Sequence, residues 1–227
     1  LSARAEALAP SDRARRQLLA DVSHELTTPV TAIRGYLETL SMTDFGLDLE
    51  TRTRYLGIIG DETSRLEHII GDLLDLARLE GGGGTLNVED VAVQQIFERV
   101  VARHGRAAAH AGVTFDVRVA AGADIVRGDR ERLEQALQNL AANALRYAPG
   151  GSAVVLGARR VERGVALWVS DAGPGIAPEH QPHIFDRFYK VESSRVRQGA
   201  GVAGGSGLGL SIVKAIIERH GGTVSLS

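Results

Sequence analysis

The run Asp21-Val22-Ser23-His24-Glu25-Leu26-Thr27-Thr28-Pro29 puts an imidazole, a carboxylate and a hydroxyl within five residues. An imidazole is a nucleophile near neutral pH, a carboxylate can hold its second nitrogen or take its proton, and a hydroxyl both donates and accepts. Leu19, Val22 and Leu26 form the apolar seam of a helix here, which puts His24 on its outer face. Thr28 lies one turn further along that face and Glu25 lies beside it, so the spacing predicts that all three are exposed together. A zinc-protease reading fails, because His-Glu-x-x-His needs a second histidine where Thr28 stands.

Three further clusters carry polar or glycine-rich chemistry. Asn139 and Asn143 share a helix with a core stripe of Leu133, Leu137, Leu140 and Ala144, and the two amides and Arg146 fall on a neighbouring face. Amide oxygens can help to ligate Mg²⁺, and a guanidinium can meet phosphate oxygens. Asp171 follows a strand with the parity of Val165, Leu167 and Val169, which predicts an inward carboxylate able to accept from an exocyclic amine. Gly173 and Gly175 then let the backbone approach a flat base. Gly205-Ser206-Gly207-Leu208-Gly209-Leu210 leads into a helix, an arrangement that suits an anion. It is neither a Walker loop, since no Lys-Ser/Thr follows, nor a dinucleotide fingerprint, since no strand precedes it.

The elements that must position these residues fall in two parts. Leu19, Val22, Leu26, Val30, Ile33, Leu37 and Leu40 recur at steps of three and four, as do Leu56, Ile59, Thr63, Leu66, Ile70, Leu73 and Ala77. Two such helices make a hairpin with too little core of its own, so a homodimeric four-helix bundle is expected. Pro29 inside the first helix should bend it. Beyond Gly81–Gly84, alternation at Val113–Val119 and Val165–Val169 predicts strands, and helices are expected at about 92–111, 130–147 and 207–220 with Asp129 as an N-cap. The fold class is thus a helical hairpin followed by an α/β sandwich, divided as 1–18 (entering helix or linker), 19–80 (hairpin), 81–84 (glycine linker) and 85–227 (sandwich).

Composition narrows the function. The 227 residues contain no cysteine, which excludes disulfides and thiol chemistry. A formal net charge of −2 gives no basic field for nucleic acid. Nine arginines face fourteen carboxylates in residues 1–80, whereas seventeen basic residues face fourteen acidic ones in 81–227, which suits an anionic ligand in the second part. No apolar stretch reaches the length of a membrane span. The first residue is Leu1, and the chain reads as an excised piece of a longer protein.

Taken together and in order, these segments resemble the conserved boxes of sensor histidine kinases. His24-Glu25-Leu26-Thr27-Thr28-Pro29 resembles the phosphoacceptor box, with Thr27 where Arg or Lys is commoner. Asn139–Tyr147, Asp171–Ile176, Ile184–Lys190 and Gly205–Lys214 resemble the N, G1, F and G2 boxes of the ATP-binding domain. The resemblance implies His24 as phosphoacceptor, Glu25 as its general base, and Thr28 as the residue orienting water in a phosphatase reaction. It implies ATP contacts from Asn139, Asn143, Arg146, Tyr147, Asp171, Gly173, Gly175, Phe188, Lys190, Gly205, Gly207, Leu208 and Gly209. Mg²⁺ would be held by Asn143 and Asn139, and Tyr189–Gly204 would be the ATP lid. A homodimer, a response-regulator receiver domain as partner, and a place on the cytoplasmic side of a bacterial inner membrane through an upstream segment are implied as well. Two alternatives stay open: a hydrolytic ATPase of the same nucleotide fold, whose members carry glutamate at the position of Asn139, and a dimeric pseudokinase scaffold.

Overall fold

The structure, a computed structural model, describes residues 2–42, 46–81, 85–191 and 205–227, with side chains from Leu18 onward. Its contacts sort the chain into two compact units, one of Leu1–Leu74 with Arg187–Leu208, the other of Asp75–Asp186 with Gly209–Ser227.

The first unit is built on α1 (Ser2–Ser41) and the greater part of α2 (Leu49–Glu80). Helix α1 runs without a break through Pro29, whose ring is buried. Asp48 starts α2 by accepting the Thr51 N–H at 2.7 Å, and this bond holds its carboxyl below the ordinary value. The helices run antiparallel, as the pairs Glu25–Arg65 and Tyr36–Tyr55 show, the two tyrosine rings lying 5.0 Å apart.

The inner face of the hairpin coincides only in part with the apolar stripe read from the sequence: Val22, Leu26, Ile33 and Leu40 of α1 and Ile59, Leu66 and Leu73 of α2 are half-buried. Other buried or half-buried residues of α2 recur at Ile58, Glu62, Arg65, Ile69, Asp72 and Leu76, each one residue before a predicted position, and at Leu79. Leu56 and Ile70 of the predicted set are 59% and 48% exposed, as are Leu19, Val30 and Leu37 of α1 to a similar degree. Leu19, Val30, Leu37, Leu56 and Ile70 thus mark a face the single chain leaves uncovered, while the inner face admits Glu25, Glu62, Arg65 and Asp72 because these pair with one another, with Lys190 or with Ser206.

The second unit is an α/β sandwich. β1 (Val88–Ala92) pairs antiparallel with β3 (Ile125–Asp129), Val88 facing Asp129. A second sheet has the order β2-β4-β5, with β2 (Thr114–Val119) parallel to β4 (Ala153–Val161) and β4 antiparallel to β5 (Gly164–Ser170). Helices α3 (Val93–Ala111), α4 (Arg130–Tyr147) and α5 (Gly209–Arg219) complete it. The core lies where Ile96, Phe97 and Val100 of α3 and Leu133, Leu137 and Ala141 of α4 meet Leu156 and Ala158 of β4. The three expected helices are present, as are the two expected strands. The central strand β4 escaped notice because consecutive residues Leu156–Ala158 are all buried, which erases alternation. Its Gly157 is covered by the Trp168 indole, which a Cβ would overlap.

No helix among the described residues is long and apolar enough to cross a membrane. Gly82–Gly84 of the glycine linker lie outside the described residues.

Candidate functional site

His24 and Thr28 are exposed on α1, as their spacing predicts. The Thr28 hydroxyl donates to the His24 carbonyl at 3.1 Å, which leaves its lone pairs to accept. Glu25 departs from the prediction: its side chain is only 14% exposed and turns into the hairpin, off the face that His24 shares with Thr28. A step of one residue on a helix rotates a side chain by about 100°, enough to move it from the outer to the inner face. There Oε1 of Glu25 accepts from Lys190 Nζ at 2.6 Å, and Oε2 accepts from Arg65 at 3.4 Å. Arg65 in turn lies 3.5 Å from Glu62.

Lys190 thus belongs to the same unit as Glu25, together with the nearby glycine cluster. The Phe188 N–H donates to the Gly207 carbonyl at 2.9 Å, with Phe188 in the left-handed region at φ 60°. Gly207 is itself left-handed at φ 76°, and a Cβ there would press on the Phe188 backbone at 2.8 Å, so only glycine permits this crossing. Ser206 Oγ donates to Asp72 at 2.8 Å and accepts the Leu208 N–H at 3.1 Å. Leu208 is fully buried, and Gly205 is half-buried. Of the stretch expected to be a lid, residues 192–204 lie outside the described residues.

The α/β unit gathers the remaining candidates along α4. Asp129 caps that helix, its carboxylate accepting the Arg132 N–H at 3.1 Å and the Asn87 N–H at 3.0 Å. Burial works to raise its pKa, yet these two amides, with the charge of Arg132, hold it below the ordinary 3.8. The backbone N–H of Asp129 donates to His220 Nε2 at 2.9 Å, so His220 is the neutral tautomer whose Nδ1–H meets the Ile216 carbonyl at 2.8 Å. Gly128 leaves room for this, since a Cβ would strike Leu133 and His220. His104 is half-buried, and burial lowers its pKa.

From that anchored start, Asn139, Asn143 and Tyr147 follow at four-residue steps. Asn139 Nδ2 donates to the Gly209 carbonyl at 3.3 Å, bringing the start of α5 against α4 and leaving the Asn139 amide oxygen to accept or ligate. At the other end of α4, Gly173 packs so closely that a Cβ would meet the Tyr147 carbonyl at 3.2 Å and Asp171 Oδ1 at 2.5 Å. Asn143 between them is half-buried, and Arg146 and Tyr147 are exposed.

Asp171 corrects a second prediction. Strand β5 ends at Ser170, and Asp171 is exposed rather than turned into the core. Its Oδ1 accepts the Gly173 N–H at 2.7 Å in an Asx turn, leaving Oδ2 to a further donor. Strand parity failed here because the alternation stops when the chain leaves the sheet. Gly175 follows at φ 74°. The structure therefore brings together Asn139 with Gly209 and Asp171 with Gly173 and Tyr147. Arg65 and Asp72 were missed by sequence reasoning, and Ser206 was named in its glycine cluster without a role of its own. The available signal was a charged pair seven residues apart on α2, in step with Ile58, Ile69 and Leu76.

The His Kinase A (phospho-acceptor) domain family matches residues 14–82, and the histidine kinase-, DNA gyrase B-, and HSP90-like ATPase family matches residues 128–227. The sensor-like histidine kinase SenX3 of Mycobacterium tuberculosis is 39% identical over 214 residues, 94% of this chain and 50% of SenX3. The chain thus spans half the length of that curated relative. The structure of the Acinetobacter baumannii histidine kinase AdeS superposes with a TM-score of 0.71 at 28% identity, covering 90% of each chain. Full-length ShkA, solved in complex with AMPPNP, superposes with a TM-score of 0.61 at 28% identity, over 90% of this chain and 41% of that one. With a phospho-acceptor hairpin and a histidine kinase-type ATPase fold in this order, the chain belongs to the sensor histidine kinase family.

Proposed function

We propose that this chain autophosphorylates on His24 from ATP and passes the phosphoryl group to an aspartate of a response-regulator receiver domain. The observation that carries the reading is the exposure of His24 on α1, inside the segment matched as a phospho-acceptor domain. Nε2 of the neutral imidazole attacks the γ-phosphorus with its lone pair, and the bond from that phosphorus to the bridging oxygen of the departing ADP breaks. Glu25 is the group assigned to the Nδ1 proton, a role for which its carboxylate must come free of Lys190.

For the nucleotide, Asp171 Oδ2 is placed to accept from the adenine amine. Gly173 and Gly175 let the base approach, and Arg146, Tyr147, Phe188, Lys190, Gly205, Gly207, Leu208 and Gly209 complete the contacts. AMPPNP in ShkA supports an ATP-type ligand. Among the described residues no group of three or more His, Cys, Asp or Glu side chains could hold a metal. Asn139 and Asn143 therefore fit Mg²⁺ only alongside the phosphate oxygens of the nucleotide, as this ion prefers. When bound, it neutralises charge on the transferred phosphoryl group. Asn139 cannot take a proton at neutral pH, so water is not activated there and the phosphoryl group is kept for His24.

The exposed apolar residues of α1 and α2 support a homodimer, in which a second copy covers Leu19, Val30, Leu37, Leu56 and Ile70. Thr28 supports a phosphatase reaction on the phosphorylated regulator: its lone pairs orient a water without deprotonating it. With γ-labelled ATP and the cognate regulator, the unaltered chain should label itself and then the regulator. Thr28→Ala should slow dephosphorylation of the regulator and largely spare labelling of His24. Equal loss of both rates, or of neither, contradicts the separate role of Thr28, and ATP turnover without any labelled protein contradicts the kinase reading.

A further inference from the structure

The polar positions on the inner face of the hairpin are where residues flanking 192–204 attach. Lys190 Nζ donates to Glu25 Oε1 at 2.6 Å, the two side chains being 21% and 14% exposed. Ser206 Oγ donates to Asp72 Oδ2 at 2.8 Å and accepts the Leu208 N–H at 3.1 Å. The first bond occupies an ammonium and the second a serine hydroxyl that itself holds a backbone N–H of the glycine-rich turn; an ammonium and a hydroxyl both suit phosphate oxygens. Glu25 and Asp72 supply carboxylate oxygens in their stead.

We propose that Glu25 and Asp72 are phosphate surrogates, a two-point latch that must be displaced when ATP binds. The inference rests on the nucleotide reading given above. Displacement has a cost, so the latch lowers apparent nucleotide affinity by the fraction of molecules that are latched. It also withholds the base: while Lys190 holds Oε1, Glu25 is engaged with a cation in place of the imidazole. A γ-phosphate that draws Lys190 away releases Glu25 in the same event. Nucleotide arrival and activation of His24 are thereby coupled through one ammonium group. The coupling is reciprocal, so weakening the latch must tighten nucleotide binding.

The test is a calorimetric titration of the full chain with AMPPNP and with ADP, on the unaltered protein, Asp72→Ala, Asp72→Asn and Glu25→Gln. Asp72→Ala deletes the bond from Ser206, and Glu25→Gln takes the charge from the bonds that Lys190 and Arg65 donate, so in either variant AMPPNP should bind about three- to tenfold more tightly. Asp72→Asn keeps an acceptor for Ser206 without the charge, and should show a smaller gain. Glu25→Gln should favour AMPPNP over ADP, because Lys190 is released to a γ-phosphate that ADP lacks. Carboxylates that merely support the fold would give unchanged or weaker affinity on removal, and that result in Asp72→Ala and Asp72→Asn overturns the latch. Failure of the unaltered chain to bind either nucleotide would overturn the nucleotide reading itself.

Discussion

Replacing Asp129 with alanine removes two bonds at the junction that starts α4. Oδ1 accepts the Arg132 N–H, an orphan donor of the first helical turn, and Oδ2 accepts the Asn87 N–H beside β1. Loss of an N-cap costs about 1 kcal/mol. The partly exposed bond to Asn87 adds roughly 0.5–1.5 kcal/mol, so a loss of about 2 kcal/mol is expected at pH 7. The folded-state pKa of Asp129 is depressed below 3.8, chiefly by those amides acting against burial. A depressed carboxyl contributes stability above its unfolded pKa and loses it as pH falls through the folded value. The gap between the unaltered protein and Asp129→Ala should therefore be full at pH 7 and shrink below pH 3.8. Trp168 is the single tryptophan and lies in the α/β unit, so urea unfolding followed by its fluorescence reads that unit. A gap that does not change between pH 7 and about pH 3 refutes the ionic account, and a gap below about 0.5 kcal/mol at pH 7 refutes the cap itself.

Asp171→Asn should weaken ATP binding about tenfold in calorimetry, the low end for a charged hydrogen bond because Asp171 is exposed; unchanged affinity contradicts its role toward adenine. Gly157→Ala places a methyl group in the Trp168 indole and should destabilise the α/β unit by about 1–3 kcal/mol, with altered Trp168 emission; an unshifted urea midpoint contradicts this packing.

The legible parts of the molecule were those where one physical rule acts alone. The helices of the sandwich showed a clear 3.6-residue period, the Asp129 cap followed from a polar residue before an apolar run, and the exposure of His24 followed from the seam on either side of it. Reading failed where tertiary context set the outcome. In the hairpin, Leu56 and Ile70 of the predicted α2 stripe are left uncovered while Ile59, Leu66 and Leu73 are half-buried, and the inner face tolerates Arg65 and Asp72 because Glu25 and Ser206, distant in the chain, hydrogen-bond to them. Glu25 was assigned to the face of His24 by adjacency alone, whereas its partners lie forty and 165 residues away in the chain. Strand β4 hides its period because both faces of its middle are covered. No local pattern carries such information.

In the proposed reaction His24 receives the γ-phosphoryl group of ATP. Incubating the chain with γ-labelled ATP and Mg²⁺, then exposing it to acid and to alkali, tests this directly. A phosphoramidate on histidine predicts label that acid removes and alkali spares. His24→Gln should abolish that label while leaving the ATP affinity and the oligomeric state unchanged. Acid-labile label that persists in His24→Gln, or acid-stable label in the unaltered chain, would contradict the account.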